Sequence, residues 1–268
     1  MFDIALLFIP ISLGLLIGLI MALTGAGGGI LAVPALTLGL GWSMTSASPV
    51  ALLTVATAAL IGMMSGLIAG AVRIRAALLI SATGLIAAPF GLHLAHRLSE
   101  RWLTVLFVCV MLIVAVRLFR SAHPSAKHST RARTCVIDNK TGRISWNPLS
   151  FLKLSLIGLA SGLSTGLLGV GGGFIIVPAL LRCSDIAMSG IIATSLAVIT
   201  FVSLGAVISA FSSGHLNLAE PALLFVSAAA TGMLLGRLFA PKIPAIMLQR
   251  ALAMLIFSVA LFLLYRAR

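Results

Sequence analysis

The sequence predicts an all-α polytopic membrane protein with two homologous repeats of about four transmembrane helices, each carrying a Gly-rich discontinuous helix. Three observations predict this. Hydrophobic residues make up 60% of the 268-residue chain and charged residues only 9%, against roughly 25% charged in an ordinary soluble domain. Residues 4–72 contain no Asp, Glu, Lys, Arg or His, a stretch far longer than the roughly 10–14 apolar residues of one buried core helix. Finally, the segment 25–36, GAGGGILAVPAL, returns at 169–180 as GVGGGFIIVPAL, at a constant offset of 144 residues with eight of twelve positions identical. The match extends to Gly14 and Gly18 against Gly158 and Gly162, and to Met44 against Met188. A fixed offset across a glycine–proline pattern indicates internal duplication.

The first span is read over 4–23 and ends at Gly25-Ala26-Gly27-Gly28-Gly29. A short apolar piece, 30–40, follows with Pro34 inside it. Spans 48–71, 76–94 and 103–118 come next, punctuated by Arg73 and Arg75, by His96, Arg97, Glu100 and Arg101, and by Arg117 and Arg120. Residues 1–120 thus make the first repeat. The polar segment 121–150 is a basic loop, since Arg120, Lys127, Arg131, Arg133, Lys140, Arg143 and Lys153 face one acid, Asp138. The second repeat, 151–268, opens with a span over 151–168 that meets Gly169-Val170-Gly171-Gly172-Gly173. A short piece to Leu181 contains Pro178, and spans 187–210, 221–239 and 246–265 complete the chain. That makes eight principal spans, more if either short piece crosses.

Charge gives orientation. The net charge is +13, from 18 Lys and Arg against 5 Asp and Glu. These charges lie between apolar runs, as headgroup contact and the positive-inside rule require, and not on one folded face suited to nucleic acid. The basic loop is therefore expected on the cytoplasmic side. Eight spans would place both termini there too. Arg73, Arg75, Arg266 and Arg268 agree with that; Arg97, Arg101, Arg237 and Lys242 do not. An odd number of crossings per half would invert one repeat and relieve part of the conflict. The amino terminus, with Asp3 in place of a basic region, does not read as a signal peptide.

The glycine runs carry the functional expectation. Three consecutive glycines cost a helix about 1 kcal/mol each relative to alanine, and they let a backbone or ligand approach closely. Pro34 and Pro178 remove a helix donor. A broken helix in lipid is tolerated where protein buries it or a polar cavity solvates it. Its exposed starting amides suit an anion, and paired broken helices form many transporter sites. The candidate substrate path therefore comprises Gly27, Gly28, Gly29 and Pro34 in one half and Gly171, Gly172, Gly173 and Pro178 in the other. Hydroxyls at Thr24, Ser164, Thr165, Thr194 and Ser195 join it, although each could instead bond the carbonyl one turn back. Gly14, Gly18, Gly158 and Gly162 are read as close-packing positions. Arg182 and Asp185 could gate or snorkel; Arg237 is either an intramembrane charge or a loop marker; His215 and Glu220 could titrate.

Other chemistries find little support. Cys109, Cys135 and Cys183 have no metal or redox spacing, and no Gly-Lys-Ser/Thr follows either glycine run. No His/Asp/Glu cluster suggests an enzyme, and no acid at mid-membrane suggests a metal-cation pump. No cofactor is expected.

The paired G-x-G-G-G-x-x-x-x-P-A-L segments and the later Ala193-Thr194-Ser195-Leu196 resemble the sulfite exporter TauE/SafE family. Ala193 replaces the glycine usual in that second element, and the first half reads Pro49-Val50-Ala51-Leu52 at the aligned place. The resemblance covers nearly the whole chain outside 121–150. It implies a multi-pass inner or plasma membrane protein, a probable exporter of small, often sulfur-containing anions such as sulfite or organosulfonates. It implies a small anion and membrane lipid as partners, with proton coupling a common suggestion. An anion channel using the same broken helices, or a non-transporting structural membrane subunit, is the alternative.

Overall fold

A computed structural model describes residues 4–25, 28–121, 148–184, 188–212, 220–239 and 245–266. These form ten α-helices and one short 3-10 turn. The order is α1 (Ile4–Thr24), the turn (Gly28–Leu31), α2 (Ala32–Gly39), α3 (Met44–Ile68), α4 (Ile74–Arg97), α5 (Glu100–Ser121), α6 (Pro148–Leu168), α7 (Gly173–Cys183), α8 (Met188–Ser212), α9 (Glu220–Phe239) and α10 (Ala245–Arg266). Most of the expected basic loop, together with Gly27, Asp185, His215 and Cys135, lies outside the described residues.

Six helices, α3 to α6, α8 and α9, are long and apolar enough to cross a membrane. Their spans of 19–25 residues match a hydrocarbon core of about 30 Å at about 1.5 Å per residue. The other two of the eight expected spans, α1 and α10, are represented by the shorter apolar stretches Phe8–Thr24 and Gln249–Tyr265. Phe90, Ile208, Phe211 and Leu238 all face outward. In water such a surface would aggregate; in lipid it is solvated.

Helix starts and stops have local causes. The Ser43 hydroxyl caps α3 by accepting the Ser46 amide proton at 3.2 Å, satisfying one orphan donor. Gly25 and Gly169 end α1 and α6 in the same way. Their amides donate to Met21 and Thr165 carbonyls, at 2.8 and 2.9 Å, with φ of +73° and +71°, the left-handed stop that glycine adopts freely.

Helices pair across the chain midpoint. α1 lies along α9, α4 along α6, α3 against α8 and α5 against α10. Glycine makes this possible. Gly14 and Gly18 bring α1 onto the carbonyls of Phe225 and Ala229, while Gly158, Gly162 and Gly166 bring α6 onto those of Ile80, Gly84 and Ala88. A Cβ at any of these would strike backbone, so the close-packing reading of Gly14, Gly18, Gly158 and Gly162 matches the geometry.

Helix directions follow from neighbours. Gly28 lies on Met21, and Gly39 lies on Leu13 and Ile9, so α2 doubles back along α1 and α3 begins on the side where α1 began. One cavity gathers the ends of α1 and α5 with the starts of α8 and α10, at Thr24, Arg117, Met188 and Gln249. A second gathers the end of α2, the starts of α3 and α5 and the end of α10, at Thr37, Ser43, Glu100 and Leu263. These mark opposite faces of the molecule, hereafter the Arg117 face and the Glu100 face.

Candidate functional site

The two glycine runs meet at the centre. A Cβ at Gly29 would lie 3.2 Å from the Val170 carbonyl oxygen and 3.2 Å from Val55 Cγ2; one at Gly171 would lie 2.6 Å from Val55 Cγ1 and 3.2 Å from Ser203 Oγ. Val55 on α3 is thus pressed between both runs. Gly171 and Gly172 hold φ of +75° and +63°, which would cost an L-residue about 1–2 kcal/mol each. Gly172 is the N-cap of α7.

The chemistry around the two runs differs. Gly25 abuts Ile192, with 2.7 Å from a Cβ there to Cγ2, while Gly169 abuts Ser48, with 2.8 Å to Oγ. Gly28 abuts the backbone and side chain of Met21, whereas Gly172 abuts Ser161 and, at 2.8 Å, Thr165 Oγ1. Among the described residues, the side chains against the first run are hydrocarbon, whereas those against the second include hydroxyls. Three of these, Ser48, Ser161 and Ser203, are buried with no hydrogen-bond partner. A buried hydroxyl left unpaired costs roughly 1–3 kcal/mol, so three around one tetrapeptide require an explanation.

Four of the hydroxyls singled out by sequence are engaged one turn back along their own helices. Thr24 donates to the Ile20 carbonyl at 2.7 Å, Thr165 to Ser161 at 2.7 Å, Thr194 to Gly190 at 2.6 Å and Ser195 to Ile192 at 2.9 Å. Thr194 does more. Its oxygen accepts the Arg73 amide proton at 3.0 Å, tying α8 to the start of α4 and satisfying an N-terminal orphan donor. Ser164 is half-buried on α6. Pro34 falls in the first turn of α2, where no helical donor is lost. Pro178 lies deeper in α7 and deprives the Phe174 carbonyl of its donor.

Sequence reasoning missed Ser48, Ser161 and Ser203. Only Ser161 had a local signal: it is four residues before Thr165, on the same helix face.

Two cavities lie on opposite faces of the molecule, and the one on the Arg117 face reaches the second run at Gly173. The one on the Arg117 face encloses about 150 Å³ and brings Thr24 of the first half together with Gly173, Phe174 and Pro178 of the second, with Arg117 and Gln249 as polar rim. The one on the Glu100 face encloses about 370 Å³ and is lined by Thr37, Ser43, Glu100 and Thr104. Between them Val55, Val170 and Ile199 are each 1% exposed.

Arg237 lies inside α9 and is not a loop marker. Its guanidinium donates to the carbonyls of Gly62 at 2.8 Å and Ile61 at 3.3 Å, so it cross-links α9 to α3. Glu220 is exposed at the start of α9 and Arg182 is exposed on α7. No group of three His, Cys, Asp or Glu side chains able to hold a metal occurs among the described residues.

A family model described as sulfite exporter TauE/SafE matches residues 11–263. Two curated relatives, both called "Probable membrane transporter protein", come from Xylella fastidiosa strains Temecula1 and 9a5c. They are 27% identical over 270 residues and 28% identical over 273, each match covering 97% of this chain and 96% of the relative. No solved structure matches significantly.

Proposed function

The chain belongs to the sulfite exporter TauE/SafE family, and from that premise we propose that it is a secondary transporter exporting small anions, sulfite or organosulfonates among them, across the cell membrane. It is a multi-pass membrane protein of a transporter family, and the anion, the direction and any proton coupling belong to the proposal.

One observation carries the reading: two helix breaks meet at the protein centre, between cavities that open on opposite faces. Alternating access requires such a barrier between two vestibules. A channel would need a continuous path, and the buried Val55, Val170 and Ile199 weigh against one. For proton coupling, Glu100 is the carboxylate lining the vestibule on its face.

The halves read as inverted repeats. Gly25 on Ile192 and Gly169 on Ser48 are related by the same 144-residue offset in both partners, as are Gly28 on Met21 and Gly172 on Thr165. Each half then makes five passes, counting the 3-10 turn with α2, or α7, as one short pass. An odd number brings α6 in from the face where α5 ended. Among the described residues, grouping charges by the helix end they adjoin puts Arg73, Arg75, Arg117, Arg120, Lys153, Arg182, Arg237 and Arg250 on the Arg117 face, and Arg97, Arg101 and Arg266 on the other, with Glu100 and Glu220. The positive-inside rule makes the Arg117 face cytoplasmic. The start of α1 and the end of α10 then face outward, replacing the expectation that eight passes would keep both inside.

Purified protein in liposomes, loaded with sulfite or methanesulfonate under imposed proton gradients, tests the proposal. Saturable flux through folded protein is expected. Folded protein without saturable flux of either anion would reject it.

A further inference from the structure

Resting on that transport reading, we infer that each chain holds one small oxyanion at its second glycine run, gripped by the hydroxyls of Ser48, Ser161 and Ser203 and by the first amides of α7. The first glycine run holds none.

Two independent features adjoin the second run. The first is backbone. Gly172 is left-handed, with φ +63° and ψ −3°, and Gly173 begins an 11-residue helix. A left-handed residue followed by a right-handed one turns successive amides toward a common point, a concavity suited to anions. The Ile175 and Ile176 amides already reach back to the Gly172 carbonyl, at 3.0 and 3.3 Å. Those before them have no intrahelical acceptor.

The second feature is the side chains. Ser161 and Ser203 are 0% exposed and Ser48 is 7% exposed, all three without a partner. They come from α6, α8 and α3, and their oxygens abut the places where Cβ atoms of Gly172, Gly171 and Gly169 would stand. Nothing in one helix dictates that arrangement. Thr165 alongside donates its proton to the Ser161 carbonyl and leaves the serines as the uncommitted donors.

Donor chemistry selects the ligand class. Hydroxyls and amides offer hydrogens without a fixed positive charge, so they replace the hydration of an anion without holding it permanently, as release on the far side requires. Three hydroxyls match the three oxygens of sulfite or of a sulfonate group. The counterparts of Ser48, Ser161, Thr165 and Ser203 at the 144-residue offset are Ile192, Ile17, Met21 and Ala59. None has a donor, so the duplicated framework carries a single site. Gly173, the residue that follows the run's left-handed pair, lines the Arg117 cavity.

The test compares wild type, Ser161→Ala, Ser203→Ala and the mirror-position variant Ala59→Ser in detergent. Thermal unfolding is followed with sodium sulfite, sodium methanesulfonate or sodium chloride. Wild type and Ala59→Ser should be stabilised by sulfite or methanesulfonate beyond chloride. The two serine variants should keep or raise their ligand-free midpoints, because an unpaired hydroxyl has been removed, yet bind the anion at least tenfold more weakly. Lower ligand-free midpoints with unchanged anion affinity would show a structural role and overturn the site, leaving transport standing. Equal stabilisation by all three sodium salts would overturn the anion assignment in favour of a cation. A folded wild type that neither responds to these anions nor transports them would overturn both this site and the function on which it rests.

Discussion

Gly172→Ala separates two costs that the glycine run avoids. The first is conformational: a left-handed backbone at φ +63° costs alanine about 1–2 kcal/mol. The second is crowding. The new methyl would strike Ser161 Oγ and stand 2.7 Å from the Ser161 carbonyl oxygen and 2.8 Å from Thr165 Oγ1. The serine hydroxyl can rotate away. The carbonyl is part of α6, and Thr165 is anchored by its own 2.7 Å bond. Neither yields easily, so overpacking adds about 1–3 kcal/mol, and the total is about 2–5 kcal/mol. Gly70→Ala is the reference: φ is +64° but nothing lies within 4 Å of its Cβ, so it bears only the conformational cost. Reversible unfolding in mixed micelles would measure both. Adding Ser161→Ala to Gly172→Ala should recover only part of the loss, because two of the three obstacles remain. The reasoning is refuted if Gly172→Ala and Gly70→Ala destabilise equally, to within about 0.5 kcal/mol.

Three further outcomes are expected. Thr194→Val should cost about 1–3 kcal/mol by leaving the Arg73 amide without its acceptor, whereas Thr194→Ser should fold like wild type; the same micelle unfolding measures both. Arg237→Leu removes charged bonds from α9 to the Gly62 and Ile61 carbonyls and should cost about 1.5–3 kcal/mol, visible as a lower midpoint at unchanged membrane insertion. In a background without native cysteines, Gly70→Cys should be labelled by a membrane-impermeant thiol reagent only after the cytoplasmic side is opened. Ser99→Cys should be labelled in intact cells, and the reverse pattern would invert the proposed orientation.

Much of this architecture could be read from the chain. Gly25 and Gly169 stop their helices where the repeated run begins, because a left-handed cap is a local property that glycine confers. Gly14, Gly18, Gly158 and Gly162 could likewise be assigned to packing from spacing alone. The hydroxyls beside the second run were less legible. Thr165 stands out by proximity to the motif, and Thr194 and Ser195 by the family element they resemble, yet each donates its proton to a carbonyl on its own helix. Ser48 and Ser203 face the second run only because α3 and α8 meet beside it, a relation carried by tertiary packing. Arg237 was ambiguous for a related reason. One turn more or less of α9 decides whether it is a loop residue or a part-buried cross-link, and helix ends are the least certain feature of a sequence reading.

The pairing of α1 with α9 also sets a timetable for synthesis. α1 ends at Thr24 and α9 begins at Glu220, and ribosomes add roughly 5–20 residues per second. The first helix therefore waits about 10–40 s in the bilayer before its main partner is made, with Gly14 and Gly18 uncovered toward lipid throughout. A nascent chain stalled before α9 leaves the glycine face of α1 without its mate, and quality-control proteases that survey unpaired membrane helices would meet this protein at that stage.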